Sequence, residues 1–474
     1  MSFDDPPSTD DPPCTIQSLL RKERTGWWAP GSAYVFVLAI LLSPHLSGCG
    51  GQAAGPSEVP ATPAPTPTPT PAGPANLILI VADDLGWGDL GVYGNREIRT
   101  PHLDRLAAEG ARLTHLTVPT PLCAPSRAAI LTGRYPVRTG IAWNPPKRLR
   151  DKERTLADDL RERGYATGAV GKWHLGLEDS DLPAYHGFDS YYGMPYGEDE
   201  DNVYRDTSPT TDTVGLDQLA RRYTQEAKDF ITRSSGRPFF LYLAHRSPHA
   251  PLFASDAFLG RSPGGLYGDV VEELDWSVGQ IVTFLKERGL DRNTLVVFTS
   301  DNGPSRQDGV FGSAGPFLGG KGSCLEGGLR VPGIAWWPGR IGPGRVSDEP
   351  VSTLDLLPTF LAAARAPLPA GRVLDGVDLL PLLSGQVSRL GGPGIEGGRE
   401  LLHYYSSDAV SLRSGRYKYL LGGFWDSKVN LFDIAADPGE TTNLARERAD
   451  LARQMKERLS YLADLVAALE PLPR

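Results

Sequence analysis

The sequence predicts an α/β fold built on a large, mainly parallel sheet with helices on both faces. Two observations point there. Strand-like and helix-like segments alternate along the chain, and the strand-like runs are continuously apolar, as expected of strands buried on both faces. A third concerns function: four of these runs end in acidic, basic or amide residues, and in open α/β sheets ligands bind beyond the carboxyl ends of the strands.

Before this region comes a segment that is not part of the fold. Arg21, Lys22 and Arg24 precede an apolar run from Ala33 to Leu42, too short to span a bilayer but suited to a signal peptide. It leads to Leu46-Ser47-Gly48-Cys49, similar to a bacterial lipobox in which the Cys is lipidated. The expectation is an exported, membrane-anchored lipoprotein facing the periplasm or cell surface, with residues 1–48 as targeting segment. Residues 49–75 are rich in Pro, Thr and Ala and cannot form a core; they read as a semi-stiff spacer.

The first strand is Asn76 to Ala82, ending at Asp83-Asp84. Thr100-Pro101 starts a helix that carries Leu103, Leu106 and Ala107 on one side and stops at Gly110. The run from Cys123 to Gly133 follows. Pro125 suits a first helical position and Gly133 an end, which sets the Cys123 side chain just before a helix N-terminus, where unpaired N–H groups favour negative charge. Arg127 adds a fixed cation able to grip an oxyanion bidentately. Thr155 caps another helix that is closed by Gly164. A strand near Ala166–Val170 ends at Gly171-Lys172-Trp173-His174. The strand from Pro238 to Ala244 runs into His245 and His249. Asp269 to Arg288 is an amphipathic helix, and the strand at Leu295 ends at Asp301-Asn302. Lys321 lies in a glycine-rich loop, Gly319 to Gly328. From about Arg399 short strands (Leu401–Tyr405, Ala409–Leu412, Tyr417–Leu420, Val429–Phe432) and a final helix read as a small antiparallel unit. This divides the fold into residues 76–398 and 399–474.

Asp83, Asp84, Asp301 and Asn302 form an all-oxygen set, which suits a hard divalent cation, Ca2+ or Mg2+, rather than zinc. A net charge of -9 and the lack of a basic stripe give no support for nucleic-acid binding. Of four cysteines, Cys14 and Cys49 fall in or at the end of the targeting segment and Cys324 stands alone, so no disulfide is expected.

Cys123-Ala124-Pro125-Ser126-Arg127, with Leu131-Thr132-Gly133-Arg134, resembles the signature of the type I sulfatases. So do Gly171-Lys172-Trp173-His174-Leu175-Gly176 and Gly320-Lys321-Gly322 with Glu326-Gly327-Gly328; local runs look closest to arylsulfatase A and N-acetylgalactosamine-6-sulfatase relatives. The resemblance implies an alkaline-phosphatase-like fold and a sulfuric ester hydrolase. It further implies that Cys123 is converted by a formylglycine-generating enzyme, and that Asp83, Asp84, Asp301, Asn302 and the modified residue 123 hold calcium. Arg127, Lys172, His174, His249 and Lys321 would then act on the sulfuryl group of a sulfate-ester small molecule or sulfated carbohydrate. In the implied cycle the hydrated aldehyde attacks sulfur with Asp301 as base. His249, with Lys321, protonates the leaving alcohol, and His174 takes the last proton as sulfate departs. One departure is the acidic run Gly197-Glu198-Asp199-Glu200-Asp201, where those relatives often carry Ser-His. The competing expectations are a phosphomonoester or phosphonate-ester hydrolase of the same superfold, and a non-catalytic surface binder of sulfated glycans.

Overall fold

The computed structural model describes residues 73–469, apart from 145–147, 151, 177, 196–201, 212–213, 306–311 and 423–428. The targeting segment, almost all of the spacer and the Gly197–Asp201 run lie outside the described residues. All described residues fall in one compact unit, 70–474. Among them no helix is long and apolar enough to cross a membrane.

Among the described residues, sixteen strands run in chain order. They are β1 (Asn76–Ala82), β2 (Ala111–Leu113), β3 (Leu116–Thr117), β4 (Ala166–Gly171), β5 (Ser190–Gly193), β6 (Tyr204–Arg205), β7 (Ser208–Pro209) and β8 (Phe239–Ala244). Then come β9 (Thr294–Ser300), β10 (Gly333–Trp336), β11 (Arg345–Ser347), β12 (Val351–Ser352), β13 (Glu400–Tyr405), β14 (Asp408–Ser414), β15 (Tyr417–Leu420) and β16 (Asn430–Asp433). Ten form the main sheet in the order β11-β2-β10-β9-β1-β8-β4-β5-β6-β7. Its centre, β9-β1-β8-β4, is parallel; β10 pairs antiparallel with β9 and β2, and β6 antiparallel with β5, so the sheet is mixed.

The apolar run of β1 alternates between two cores. Leu77, Leu79 and Val81 face one, with Ala128, Ile130 and Leu131 of the helix Cys123–Thr132 and Leu357, Phe360 and Leu361 of the helix Leu356–Ala363. Ile78, Ile80 and Ala82 face the other, with Leu103 of the helix Pro101–Glu109, Tyr223 of the helix Leu219–Arg233 and Leu274 of the helix Gly265–Glu287. That two-sided burial explains why the strand lacks polar alternation.

Helix caps follow the expected chemistry, but bounds shift: the helix capped by Thr155 ends at Arg161, before Gly164, and the helix expected from Asp269 begins at Gly265. Thr155 accepts from the Ala157 and Asp158 N–H groups in a capping box. Gly133 ends its helix at φ 66°, in the left-handed region. That helix starts at Cys123 rather than near Pro125, with Leu122 as its N-cap. Cys123 is therefore its first residue.

The four-stranded antiparallel sheet β13-β14-β15-β16 and the helix Ala449–Ala468 form the C-terminal part. A buried ionic cluster joins this sheet to the glycine-rich loop. Glu326 takes the Lys418 ammonium at 3.0 Å and the Arg330 guanidinium at 2.6 Å, and Lys418 also meets Glu440 at 2.9 Å. The Glu326 N–H donates to Glu440 at 2.6 Å. Burial alone would raise the Glu326 carboxyl, but Lys418, Arg330 and Arg413 hold it well below the usual range. Removing one member leaves uncompensated charge in a dry site, so Lys418→Met is expected to cost about 3–5 kcal/mol in urea denaturation. Because the Glu326 carboxyl is depressed on folding, its contribution is complete above its ordinary value of 4.5 and is lost as pH falls through the lowered one. The wild type should lose more stability on acidification than a Glu326→Gln variant; parallel acid melts would refute the assignment.

Candidate active site

The four strands that end in polar residues are the four central neighbours of the sheet. Hydrogen bonds continue past the strand ends and fix the loops that follow. The Asp83 N–H donates to the Ser247 carbonyl at 3.0 Å and the His245 N–H to Val81 at 2.9 Å. Lys172 N–H reaches Ala244 at 2.8 Å, and Asp301 N–H reaches Ala82 at 3.1 Å. At Gly171 (φ 106°) a Cβ would lie 1.8 Å from the Ala244 oxygen, so only glycine lets the chain turn into Lys172 there. Asp84 adopts φ 62°, a left-handed conformation that Asp tolerates better than most residues. It aims the backbone N–H at Asp301 Oδ1, 3.1 Å away.

Arg127 stands at the centre. Its Nη2 lies 2.7 Å from Asp301 Oδ2 and 3.4 Å from Asp83 Oδ2, and its Nε donates to Asp301 at 2.9 Å. Its Nη1 donates to the Lys172 carbonyl at 3.2 Å and lies 3.5 Å from the Tyr242 hydroxyl. Lys172 Nζ sits 2.6 Å from Asp83 Oδ2. Lys321 Nζ bridges Asp84 Oδ2 at 2.9 Å and His249 Nε2 at 3.0 Å. Since His249 Nδ1 lies 2.5 Å from the Ala250 carbonyl, that nitrogen carries a proton. His174 follows Lys172 by two residues, buried, at φ 60°, with its N–H on the Pro195 carbonyl at 3.0 Å. His245 turns away: its Nε2 lies 3.1 Å from Ser277 on the helix Gly265–Glu287.

Cys123 is fully buried, with Sγ 3.6 Å from Asp83 Oδ1 and 3.7 Å from Asp84 Oδ1. Burial, reinforced by Asp301 and Asp84 against the pull of Lys321 and Lys172, pushes its thiol well above the ordinary value. Its Sγ points at both the Asp83 and Asp84 carboxylates, and burial is the main cause of the shift. Burial and the neighbouring Asp83 raise the Asp301 carboxyl to about 7 despite Arg127. Asp83, equally buried, is held well below the usual range by Lys172 and Arg127.

A divalent cation fits this donor set. Ligand atoms of Asp83, Asp84, Cys123 and His249 all lie within 4.8 Å of one another. Asn302 Nδ2 donates to Asp84 Oδ1 at 2.6 Å, while its buried Oδ1 has no donor among the described residues. A hard cation is the partner that such an oxygen lacks.

Three contributors escaped the sequence. Asn144 Oδ1 accepts the Ala124 N–H at 3.0 Å and pins the 143–144 loop beside the nucleophile position. Tyr242, from the middle of β8, supports Arg127. Ser300 Oγ accepts from the Leu85 N–H at 3.0 Å and donates to the Asn302 carbonyl at 3.0 Å. None sits in a motif: Asn144 lies on a loop, Tyr242 within β8 and Ser300 at the end of β9. The glycine-rich loop is also tightly packed: a Cβ on Gly328 would lie 2.0 Å from the Ser323 oxygen.

Known proteins share this arrangement. The chain is 42% identical to canine (Canis lupus familiaris) N-acetylgalactosamine-6-sulfatase over 387 residues, 74% of this chain and 72% of that protein. It is 40% identical to bovine (Bos taurus) arylsulfatase A over 460 residues, 84% and 89% of the two chains. Among solved structures, Ps i-CgsB in complex with k-i-k-neocarrahexaose superposes with a TM-score of 0.74 at 30% identity, covering 85% of this chain and 98% of that one. A C-terminal profile, N-sulphoglucosamine sulphohydrolase, C-terminal, matches residues 320–464. The profile described as Sulfatase matches residues 75–366, and the chain belongs to the sulfatase family.

Proposed function

We propose that this sulfuric ester hydrolase acts on sulfated carbohydrates through a formylglycine derived from Cys123 and one bound Ca2+, for which Mg2+ is the alternative. The observation that carries this is the convergence of residue 123, three carboxylates and three cations in one buried pocket. Residues 76–398 supply the chemistry and 399–474 close one side.

The formylglycine, once its aldehyde is hydrated, supplies an oxygen nucleophile and a route to expel sulfate that neither a thiol nor a plain hydroxyl offers. The cation, held by Asp83, Asp84, Asp301 and Asn302 together with residue 123, supplies Lewis-acid neutralisation of sulfuryl oxygens. Arg127, fixed by Asp83 and Asp301, holds residue 123 and its surroundings in register. Lys172 and Lys321 bring positive charge to the sulfuryl oxygens, a preorganised stabilisation. Lys321 Nζ and His249 Nε2, 3.0 Å apart, form the proton source for the leaving oxygen. His174 accepts the remaining proton at residue 123.

Trp143 supports a ring-bearing substrate. It is 45% exposed, its ring lies 5.1 Å from that of Tyr405 in an edge-on arrangement, and the neighbouring Asn144 is tied to Ala124. An exposed Trp fixed beside the nucleophile position is a platform for the face of a sugar. The carbohydrate bound in Ps i-CgsB is consistent with such a substrate.

The targeting segment supports export and a lipid anchor at Cys49. Labelling with a fatty-acid analogue should mark the wild type and spare Cys49→Ala.

Mass spectrometry of the peptide containing residue 123 should show a loss of about 18 Da when the chain is made alongside a formylglycine-generating enzyme. Cys123→Ser should be inactive or accumulate a sulfated enzyme; normal turnover by this variant overturns the mechanism. His249→Ala and Lys321→Ala should each lower kcat on a small aryl sulfate about 10²–10⁴-fold. Ca2+ at about 100 times its Kd should raise the unfolding free energy by ~2.7 kcal/mol in the wild type and by far less in Asn302→Ala. Trp143→Ala should raise KM for a sulfated oligosaccharide about three- to tenfold while sparing a small aryl sulfate.

A further inference from the structure

A cavity of about 780 Å³ opens where the end of β2 and the segment after β11 meet the β14–β15 turn. Arg112, His115, Arg330, Arg389, Arg413 and Arg416 line it, and no residue of the catalytic pocket does. Among the described residues its only lining carboxylates are Asp348 and Glu349, set against five guanidinium groups.

Carboxylates beyond the wall, Glu326, Asp433 and Glu440, offset part of this charge. Arg416 is paired with Asp433 at 2.5 Å, and Arg389 lies 3.7 Å from Glu349. Arg330 and Arg413 share one carboxylate, Glu326, at 2.6 and 3.9 Å, and that carboxylate already serves Lys418. Arg112 meets no carboxylate among the described residues; it donates to the Val92 carbonyl and lies over the Tyr93 ring at 5.6 Å. Arg330 and Arg413 are both almost fully buried. Burial lowers Arg413 to about 10, and burial together with Arg330 and Arg413 pushes His115 down to about 3.

Guanidinium groups taken out of water without matching carboxylates cost free energy unless an anion completes them. Arginine's planar fork suits tetrahedral oxyanions, which it binds through paired N–H donors. The volume is that of a small-molecule site, much more than one inorganic ion fills. Trp87 and Phe317 add an apolar wall, with Arg330 stacked 4.3 Å over the Phe317 ring. Charge for an oxyanion and apolar surface for a ring thus occur in one cavity.

We propose that this cavity is a second recognition site, separate from the catalytic one, which takes a sulfuryl group carried on a sugar of a sulfated glycan. It would hold a polymer at one point while another sulfate ester occupies the catalytic pocket. Free inorganic sulfate offers the same oxygens, so the test separates the two sources.

The test uses the full chain and the variants Arg112→Gln, Arg389→Gln and Arg416→Gln. Arg389 and Arg416 are solvent-accessible, so their loss is compatible with folding even if Arg112→Gln is not; thermal melts check each. Binding of a chondroitin sulfate hexasaccharide, by titration calorimetry, should weaken about tenfold in at least two of the three, with a shallower dependence on salt. kcat/KM on a small aryl sulfate should not change. Hexasaccharide binding equal to wild type in all folded variants would overturn the proposal. So would inorganic sulfate occupying the cavity as tightly as the hexasaccharide at equal sulfuryl concentration, which would assign the site to the free anion. The binding arm does not require turnover, so failure of the formylglycine mechanism and failure of this site give different results.

Discussion

The site depends on one buried guanidinium. Asp83, Asp84 and Asp301 are buried carboxylates at the ends of adjacent strands, and without compensation their repulsion and desolvation would keep them apart or neutral. Arg127, itself fully buried, touches two of them, and Asp301 and Asp83 hold its charge more firmly than burial weakens it. It reaches them because Cys123 opens the same helix one turn earlier. The residue to be modified and the cation that organises its surroundings therefore move as one rigid body.

Within that frame, charge divides unevenly between chemically identical groups. Asp83 and Asp301 are equally buried, but Lys172 sits directly on Asp83 while Asp301 has a second carboxylate for a neighbour. One is therefore held firmly ionised and the other is raised toward neutrality. Three carboxylates meet three cations, Arg127, Lys172 and Lys321. Such a pocket is suited to take a divalent cation together with an anionic ester, each offsetting the charge of the other.

The small C-terminal sheet belongs to the same electrostatic system. Glu326 closes the loop that carries Lys321 and is tied to Lys418 and Glu440 from the other sheet. The position of Lys321 over Asp84 therefore depends on packing some hundred residues later in the chain. The arginine-lined cavity lies at the edge of the same junction, where Arg330 and Arg413 both draw on Glu326.

Much of this was legible in the sequence for a local reason. The apolar runs of β1, β8 and β9, the Thr155 cap, the Gly133 stop and the polar residues at strand ends are written within a few positions of one another, and backbone physics reads them directly. The motifs around Cys123, Lys172 and Lys321 resembled one family because that chemistry needs fixed residue types at fixed spacing. What the sequence could not carry was adjacency. That β9, β1, β8 and β4 are neighbours, that β10 runs antiparallel, and that Tyr242 supports Arg127 follow from strand order, which no local pattern encodes, and Asn144 reaches the site only through the path of a loop. The surroundings of Cys123 were also beyond it. A helix N-terminus alone favours an anion, and only the tertiary structure buries the sulfur completely and brings carboxylates from the end of β1 to 3.6 and 3.7 Å from it.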